Sequence, residues 1–220
     1  MTFTMTFRSE NKLPFLRKPL HIAYTAIFLV FLAYTGITTP DLLNWLIENS
    51  LTLSVVILLA AFYNIFRLTD PSYTLIFLFM MLHVYGSYYQ YADNPFGEWM
   101  KGPFNFQRNH YDRLVHFGFG LMLTYPLYEI ARRGFNLSIF LSSVLTLSLV
   151  LSLGALYEIV EWVVADLVYD GDEQGMAYLG MQGDIWDAQK DMVLAFAGAC
   201  IAIGFAIVFR RRKQAVGSES

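Results

Sequence analysis

The sequence predicts an all-α membrane protein, a polytopic bundle of about six transmembrane helices with both termini on the cytoplasmic side. Three observations carry this reading. Apolar residues make up 56% of the 220-residue chain and charged residues 15%, against roughly 25% charged in an ordinary soluble domain. The apolar residues fall into six blocks, each near the ~20 helical residues that a bilayer core requires. The basic residues concentrate in alternate connections between those blocks, as the positive-inside rule demands.

The blocks are read in order. Residues 1–19 form a polar, basic N-terminal segment ahead of a first span at 20–37. No small-residue cleavage site follows that span, so it is not a signal peptide. A second span is expected at 51–66 and a third at 73–91, separated by Asp70-Pro71, since proline cannot continue a helix. Asn94-Pro95-Phe96-Gly97 and Gly102-Pro103 predict an irregular loop, with Trp99, Phe104 and Phe106 suited to the headgroup region. Further spans follow at 111–130, 138–165 and 187–209, with an acidic, glycine-bearing stretch at 166–186. In the last span Ala195, Gly198, Ala199, Ala202, Gly204 and Ala206 permit close helix packing. The lone cysteine, Cys200, has no intrachain partner and reads as a packing residue. The transmembrane domain thus covers 20–209, and 210–220 is a basic cytoplasmic tail.

Orientation follows from Lys and Arg. With the N-terminus inside, the inner segments hold Arg8, Lys12, Arg17, Lys18, Arg67, Arg132, Arg133, Arg210, Arg211, Arg212 and Lys213. That is 11 of the 15 basic residues. Only Lys101, Arg108, Arg113 and Lys190 remain outside. The acids run the other way: 14 of 18 fall on outer segments or outer helix ends, leaving the inner side at +7 and the outer side at −10. Acids contribute little to insertion, so this second asymmetry asks for its own explanation.

Spacing concentrates the outer acids further. Asp112 and His116 are i, i+4; Glu158 and Glu161 are i, i+3; Asp184, Asp187 and Asp191 are i, i+3, i+7. Such separations share a helix face, and charges facing lipid are costly, so each set is expected to point into the bundle. His83 falls near the midplane of the third span or slightly beyond. Imidazoles and carboxylates converging from facing helices are how helical bundles hold metals. The expected ligands are therefore drawn from His83, Asp112, His116, Glu158, Glu161, Asp184, Asp187 and Asp191. Oxygen-rich donors with some nitrogen suit Zn, Mn, Fe or Mg, a divalent metal whose identity the sequence leaves open.

Plainer roles stand beside these. Asn109 with Asp112 resembles a capping box, and Asp184 has the position of a cap for the sixth span. Arg108, Arg113 and Lys190 are candidate partners for nearby acids. His83 and His116 are candidates for hydrogen-bonded core histidines. Tyr85, Tyr88, Tyr89 and Tyr91 read as an interfacial aromatic belt. An intramembrane Glu158-x-x-Glu161 has no comparable structural reading. No phosphate-binding glycine loop, nucleophile elbow, H-E-x-x-H, cysteine ligand pair or nucleic-acid signature is present.

The strings R-N-H-Y-D-R-L-V-H-F (108–117), Y-E-I-V-E-W (157–162) and L-G-M-Q-G-D-I-W-D-A-Q-K-D-M (179–192) resemble the YjdF-like family of bacterial inner-membrane proteins. The resemblance extends from about His21 to Phe209, and the last string is its most specific part. It implies a small multi-pass protein of the inner membrane, and it brings no substrate and no catalytic residues.

Three functions fit. The first is a metal-dependent hydrolase or transferase acting on a lipid or lipid-linked ester or phosphoester at the outer leaflet, with Glu161 as general base and Arg113 or Arg108 holding an anionic headgroup. The second is a cation or proton transporter, although the inner half offers no acid beyond Glu129 for a route inward. The third is a non-catalytic bundle fixed by an ion network. The partners expected are membrane lipids and a lipid-linked substrate, not nucleic acid.

Overall fold

The computed structural model describes residues 14–217. Arg8, Glu10 and Lys12 of the expected N-terminal segment and Glu219 of the tail lie outside them. A short 3-10 turn at Phe15–Arg17 leads into six long helices: α1 (Pro19–Thr38), α2 (Leu42–Phe62), α3 (Asp70–Tyr88), α5 (Tyr111–Glu129), α6 (Ile139–Leu167) and α8 (Asp187–Gly217). Two short helices, α4 (Pro95–Phe104) and α7 (Glu173–Tyr178), sit in the connections at one end. No strand occurs among the described residues.

Local chemistry sets the helix starts. Pro19, Pro71 and Pro95 occupy first turns, where a missing N–H costs nothing. Asp41 accepts a hydrogen bond from the Asn44 N–H at 2.9 Å and caps α2, and Ser138 caps α6 through the Leu141 N–H at 3.2 Å. Asn105, left-handed at φ 53°, closes α4. Beyond Pro126, α5 runs into a π turn at Ile130–Gly134.

The burial pattern is inverted relative to a soluble protein. Ser72, Ser87, Thr124, Ser142, Thr146 and Asn49 are buried, while leucines, isoleucines and phenylalanines of α1, α2, α6 and α8 are exposed. In a bilayer, backbone and side-chain polar groups must find partners inside the protein while apolar side chains meet lipid. Four helices are long and apolar enough to cross a membrane: α1, α2, α6 and the Asp187–Phe209 part of α8. Only 22–28% of their most apolar windows is buried, so most of their surface faces outward. The other two long helices, α3 and α5, have 19 residues each and carry His83, Asp112, His116 and Glu129 among their buried or half-buried residues. They lie inside: α5 packs against α8, α3 and α6, and α3 against α1, α5 and α2.

The α5–α8 seam is made by small residues, as the alanines and glycines of the last block predict. A Cβ on Gly120 would sit 1.7 Å from the Ala195 carbonyl oxygen, and one on Gly198 2.5 Å from that of Phe117. Ala195 and Ala199 are fully buried there. The two backbones therefore touch, and their register is set.

Three expectations change. The second helix covers Leu42–Phe62, not 51–66: Asp41 caps it, and Asn44, Trp45, Glu48, Asn49 and Thr52 make a buried polar face that interrupts a hydropathy scan without interrupting the helix. The loop expected to be irregular contains α4. Cys200 is exposed on the outside of the bundle rather than packed within it.

The helix ends form two chemically different caps. At the end holding Arg67, Arg132 and Arg133, Glu129 is buried and accepts from the Thr69 N–H at 3.0 Å and the Thr69 hydroxyl at 2.9 Å, with Ser72 and Arg133 as further partners. Lys18 and His21 both reach Asp70, at 3.2 and 3.1 Å. The opposite end gathers most of the acids.

Candidate functional site

The α5–α8 register assembles the acidic end. The close contact pairs Gly120 with Ala195. Both helices descend from that end, so counting back along each sets Asp112 opposite Asp187 and His116 opposite Asp191. Asp112, Asp187 and Asp191 accordingly converge, each offering one carboxylate oxygen within 4.8 Å of the others. From the antiparallel α6, Glu158 Oε1 comes to 3.5 Å from His116 Nε2, and Asp112 Oδ1 lies 3.6 Å from the same nitrogen.

The groups separate into two layers. In the outer layer Arg108 binds both oxygens of Asp187, at 2.8 and 3.0 Å, a bidentate pair. The same guanidinium donates to the carbonyls of Met181 and Gly180 at 2.8 and 3.1 Å. Arg113 donates to Asp184 at 2.5 Å and to Asp187 at 3.0 Å, and Lys190 to Asp184 at 2.6 Å. Hydrogen bonds from Lys190 and then Arg113 hold the Asp184 carboxyl well below the usual carboxylate range. Asn109 and Gln182 exchange two 3.0 Å hydrogen bonds. The 108–117 and 179–192 strings are thus stitched together.

The inner layer has no such compensation. Glu48, Asp112, Glu158, Glu161 and Asp191 lie near enough to act on one another electrostatically. Among the described residues no Lys or Arg comes within 4.0 Å of any of these carboxylates, and the only imidazole that does is His116. Asp191 is 2% exposed, yet its Oδ1 has no hydrogen-bond partner, and neither does Oε1 of Glu158. Buried carboxylates left this way are costly unless they hold protons or share a cation. The two His116 contacts are long. At 3.5–3.6 Å they exceed an N–H···O hydrogen bond, whereas ligands bound tetrahedrally at about 2.0–2.2 Å stand roughly 3.4 Å apart.

The expected site residues are distributed as follows. Asp112, Asp187 and Asp191 meet at one point, and His116 stands between Asp112 and Glu158. Glu161, 9% exposed, lies beside them. Asp184 belongs to the outer ion pairs and also accepts from the Trp186 N–H at 3.1 Å, a capping contact ahead of α8. Arg113 pairs with aspartates rather than facing open space. His83 has both ring nitrogens engaged, Nδ1 with the Tyr91 hydroxyl at 2.6 Å and Nε2 with the Glu48 backbone carbonyl at 3.3 Å. The capping box at Asn109 does not form: Asn109 Oδ1 accepts from the Tyr111 N–H at 3.0 Å, while its own N–H goes to Gln182.

Sequence reasoning missed Glu48 and Tyr157. Glu48 is 5% exposed and accepts from the Tyr157 hydroxyl at 3.0 Å. The Tyr157 ring in turn lies edge-on to His116, centroids 5.6 Å apart. The signal was the spacing of Asn44 and Glu48 behind a capping aspartate, a helix start hidden among polar residues.

Known proteins share this sequence over most of its length. A family model described as "Predicted membrane protein (DUF2238)" matches residues 20–212, the whole bundle with its acidic end. The "Inner membrane protein YjdF" of Escherichia coli (strain K12) is 36% identical over 198 residues, 89% of this chain and 93% of that protein. No solved structure matches. The chain is therefore a multi-pass protein of the inner membrane, and it belongs to the DUF2238 family of membrane proteins.

Proposed function

We propose that the chain crosses the membrane six times with both termini inside, and that its acidic, extracytoplasmic end holds a divalent cation between Asp112, His116, Glu158 and Asp191. In this reading the protein is a hydrolase or transferase acting on an ester or phosphoester of a membrane lipid or lipid-linked substrate. The observation that carries it is the inner carboxylate layer: Glu161 and Asp191 buried, Asp112 and Glu158 half-buried, an unpartnered oxygen on Asp191, and one imidazole 3.5–3.6 Å from two of these acids. A cation held by these residues would acidify a bound water and polarise the oxygen of the bond under attack. Glu161, next to the ligands and without a cationic partner, takes the proton of that water. The water oxygen bonds to the carbonyl carbon or phosphorus, the ester C–O or P–O bond breaks, and the departing oxygen takes the proton that Glu161 accepted. Arg113 stands at the rim, where a headgroup anion would replace one of its aspartates. The basic character of the opposite end supports the orientation.

A second reading, a non-catalytic bundle with a structural ion network, is favoured by Arg108, whose four hydrogen bonds pin the 180–187 segment. It accounts for the outer layer; among the described residues the inner carboxylates have no Lys or Arg within 4.0 Å. Elemental analysis of protein purified without chelator tests the choice. Near-stoichiometric Zn, Mn, Fe or Mg, with a melting temperature lowered by EDTA, is expected. No bound metal and no melting response to Zn, Mn, Mg or Ca would leave the ion network as the function of this end.

A further inference from the structure

A cavity of about 120 Å³ opens on the α2 side of the acidic end, lined by Asp41, Asn44, Glu48, Tyr91, Tyr169 and Tyr178 among others. Two of these are polar, more than nine-tenths buried and incompletely bonded. Glu48 is 5% exposed and receives one hydrogen bond, from Tyr157 to Oε2; no described residue donates to Oε1. Asn44 is 6% exposed, and its side-chain amide bonds no described residue. The backbone also holds an uncommon shape here. Gln90 and Tyr91, both in the lining, take consecutive left-handed conformations at φ 50° each, a strain that clusters at binding sites. Gly86 makes this possible, since a Cβ there would lie 2.5 Å from the Tyr91 ring.

The lining selects its ligand. Two carboxylates and no basic residue call for a cation. Three tyrosine rings favour an organic cation over a bare inorganic ion, because their faces attract ammonium groups and offer no metal ligand. The Asn44 amide oxygen and Glu48 Oε1 are acceptors for its N–H groups. At about 30 Å³ per water-sized unit, the volume suits roughly four non-hydrogen atoms. We infer that this cavity binds a small primary ammonium of the ethanolamine type, carried by a lipid headgroup or by a free amine. The inference stands apart from the divalent-cation reading, although Tyr157 joins the two places by donating to Glu48 and packing its ring against His116.

The test uses the full chain in detergent with EDTA, so that metal plays no part. Ethanolamine hydrochloride is titrated against NaCl at equal ionic strength and against ethylene glycol, a neutral molecule of similar size. A saturable rise in melting temperature with ethanolamine alone is expected. Glu48→Gln and Asp41→Asn should each weaken it roughly tenfold. Asp41→Asn is the safeguard, because asparagine caps a helix as well as aspartate does. Nanodiscs of phosphatidylglycerol with and without phosphatidylethanolamine separate the sources: stabilisation confined to the lipid identifies a headgroup, and an equal response to soluble ethanolamine identifies a free amine. An equal response to NaCl or ethylene glycol, or an unchanged response in Asp41→Asn, would overturn the inference.

Discussion

Replacing Asp191 by asparagine separates a cation site from an ion network by the sign of its effect on stability. Asparagine keeps the shape and removes the charge of a side chain that is 2% exposed and leaves Oδ1 unbonded. Two like charges at the 4.8 Å limit of the Asp112–Asp187–Asp191 group repel by about 3.5 kcal/mol at an effective dielectric constant of 20. Removing one charge recovers energy of that order where the neighbouring acids are charged, and nothing where the acid already holds a proton. In EDTA, Asp191→Asn is therefore expected to melt at or above the wild-type temperature. Metal shifts the comparison back toward the wild type. At 100 times its dissociation constant, a cation stabilises the wild type by about 2.7 kcal/mol, roughly 5–11 °C for a chain of this size. A tenfold loss of affinity leaves the variant only about 1.4 kcal/mol. Thermal melting of both proteins, with EDTA and with each of Zn, Mn and Mg, reads all these values. A variant that melts several degrees lower in EDTA and in metal alike would refute the reasoning, because Asp191 would then be a structural hydrogen-bond partner.

The remaining predictions concern orientation, the seam and the outer layer. Reporter fusions after Lys18, Arg133 and Lys213 should read cytoplasmic, and fusions near Lys101 and Asp172 extracytoplasmic; a C-terminus found outside would reverse the side of the whole acidic end. Gly120→Ala sets a methyl 1.7 Å from the Ala195 oxygen where about 3.3 Å is comfortable. The helices must part by roughly 1.5 Å, at a cost of about 1–3 kcal/mol or more, so melting temperature and metal content should fall together. Ser142→Ala, away from the seam, is the control for the metal content. Asp184 titrates below its ordinary range because Lys190 and Arg113 hold it charged. Its contribution is therefore complete above an ordinary aspartate pKa of about 3.9 and is lost as pH falls below it. Asp184→Asn should flatten the loss of stability below about pH 4, and an unaltered acid limb would show that its ion pairs do not stabilise the fold.

Much of the bundle was legible because lipid-facing spans are plain apolar runs. The first, third, fourth and fifth blocks correspond to α1, α3, α5 and α6 within three residues, and the sixth begins with α8 at Asp187. The same property hid α2: its first turns face the protein interior, so Asn44, Glu48 and Asn49 are polar where a lipid-facing helix would be apolar. Helical spacing carried the α5, α6 and α8 acids to one place, since i, i+3 and i, i+4 fix a face. It did not say which acid takes which partner. That depends on the α5–α8 contact, where Gly120 meets Ala195, and on Arg108 reaching 79 residues along the chain to Asp187. Tyr91 was read as part of an aromatic belt for want of any local sign that its backbone turns left-handed and brings its hydroxyl to His83.

The glycine–alanine contact between α5 and α8 has a mechanical consequence. Gly120 lies eight residues below Asp112, about 12 Å along the axis at 1.5 Å per residue. A backbone contact that cannot compress acts as a fulcrum, and tilting one helix by roughly 5° about it swings Asp112 by about 1 Å relative to Asp187. Displacements of that size decide whether carboxylates share an ion or merely neighbour one another. Lateral pressure and thickness of the surrounding lipid, which tilt helices, thereby gain leverage on chemistry at the far end of the bundle.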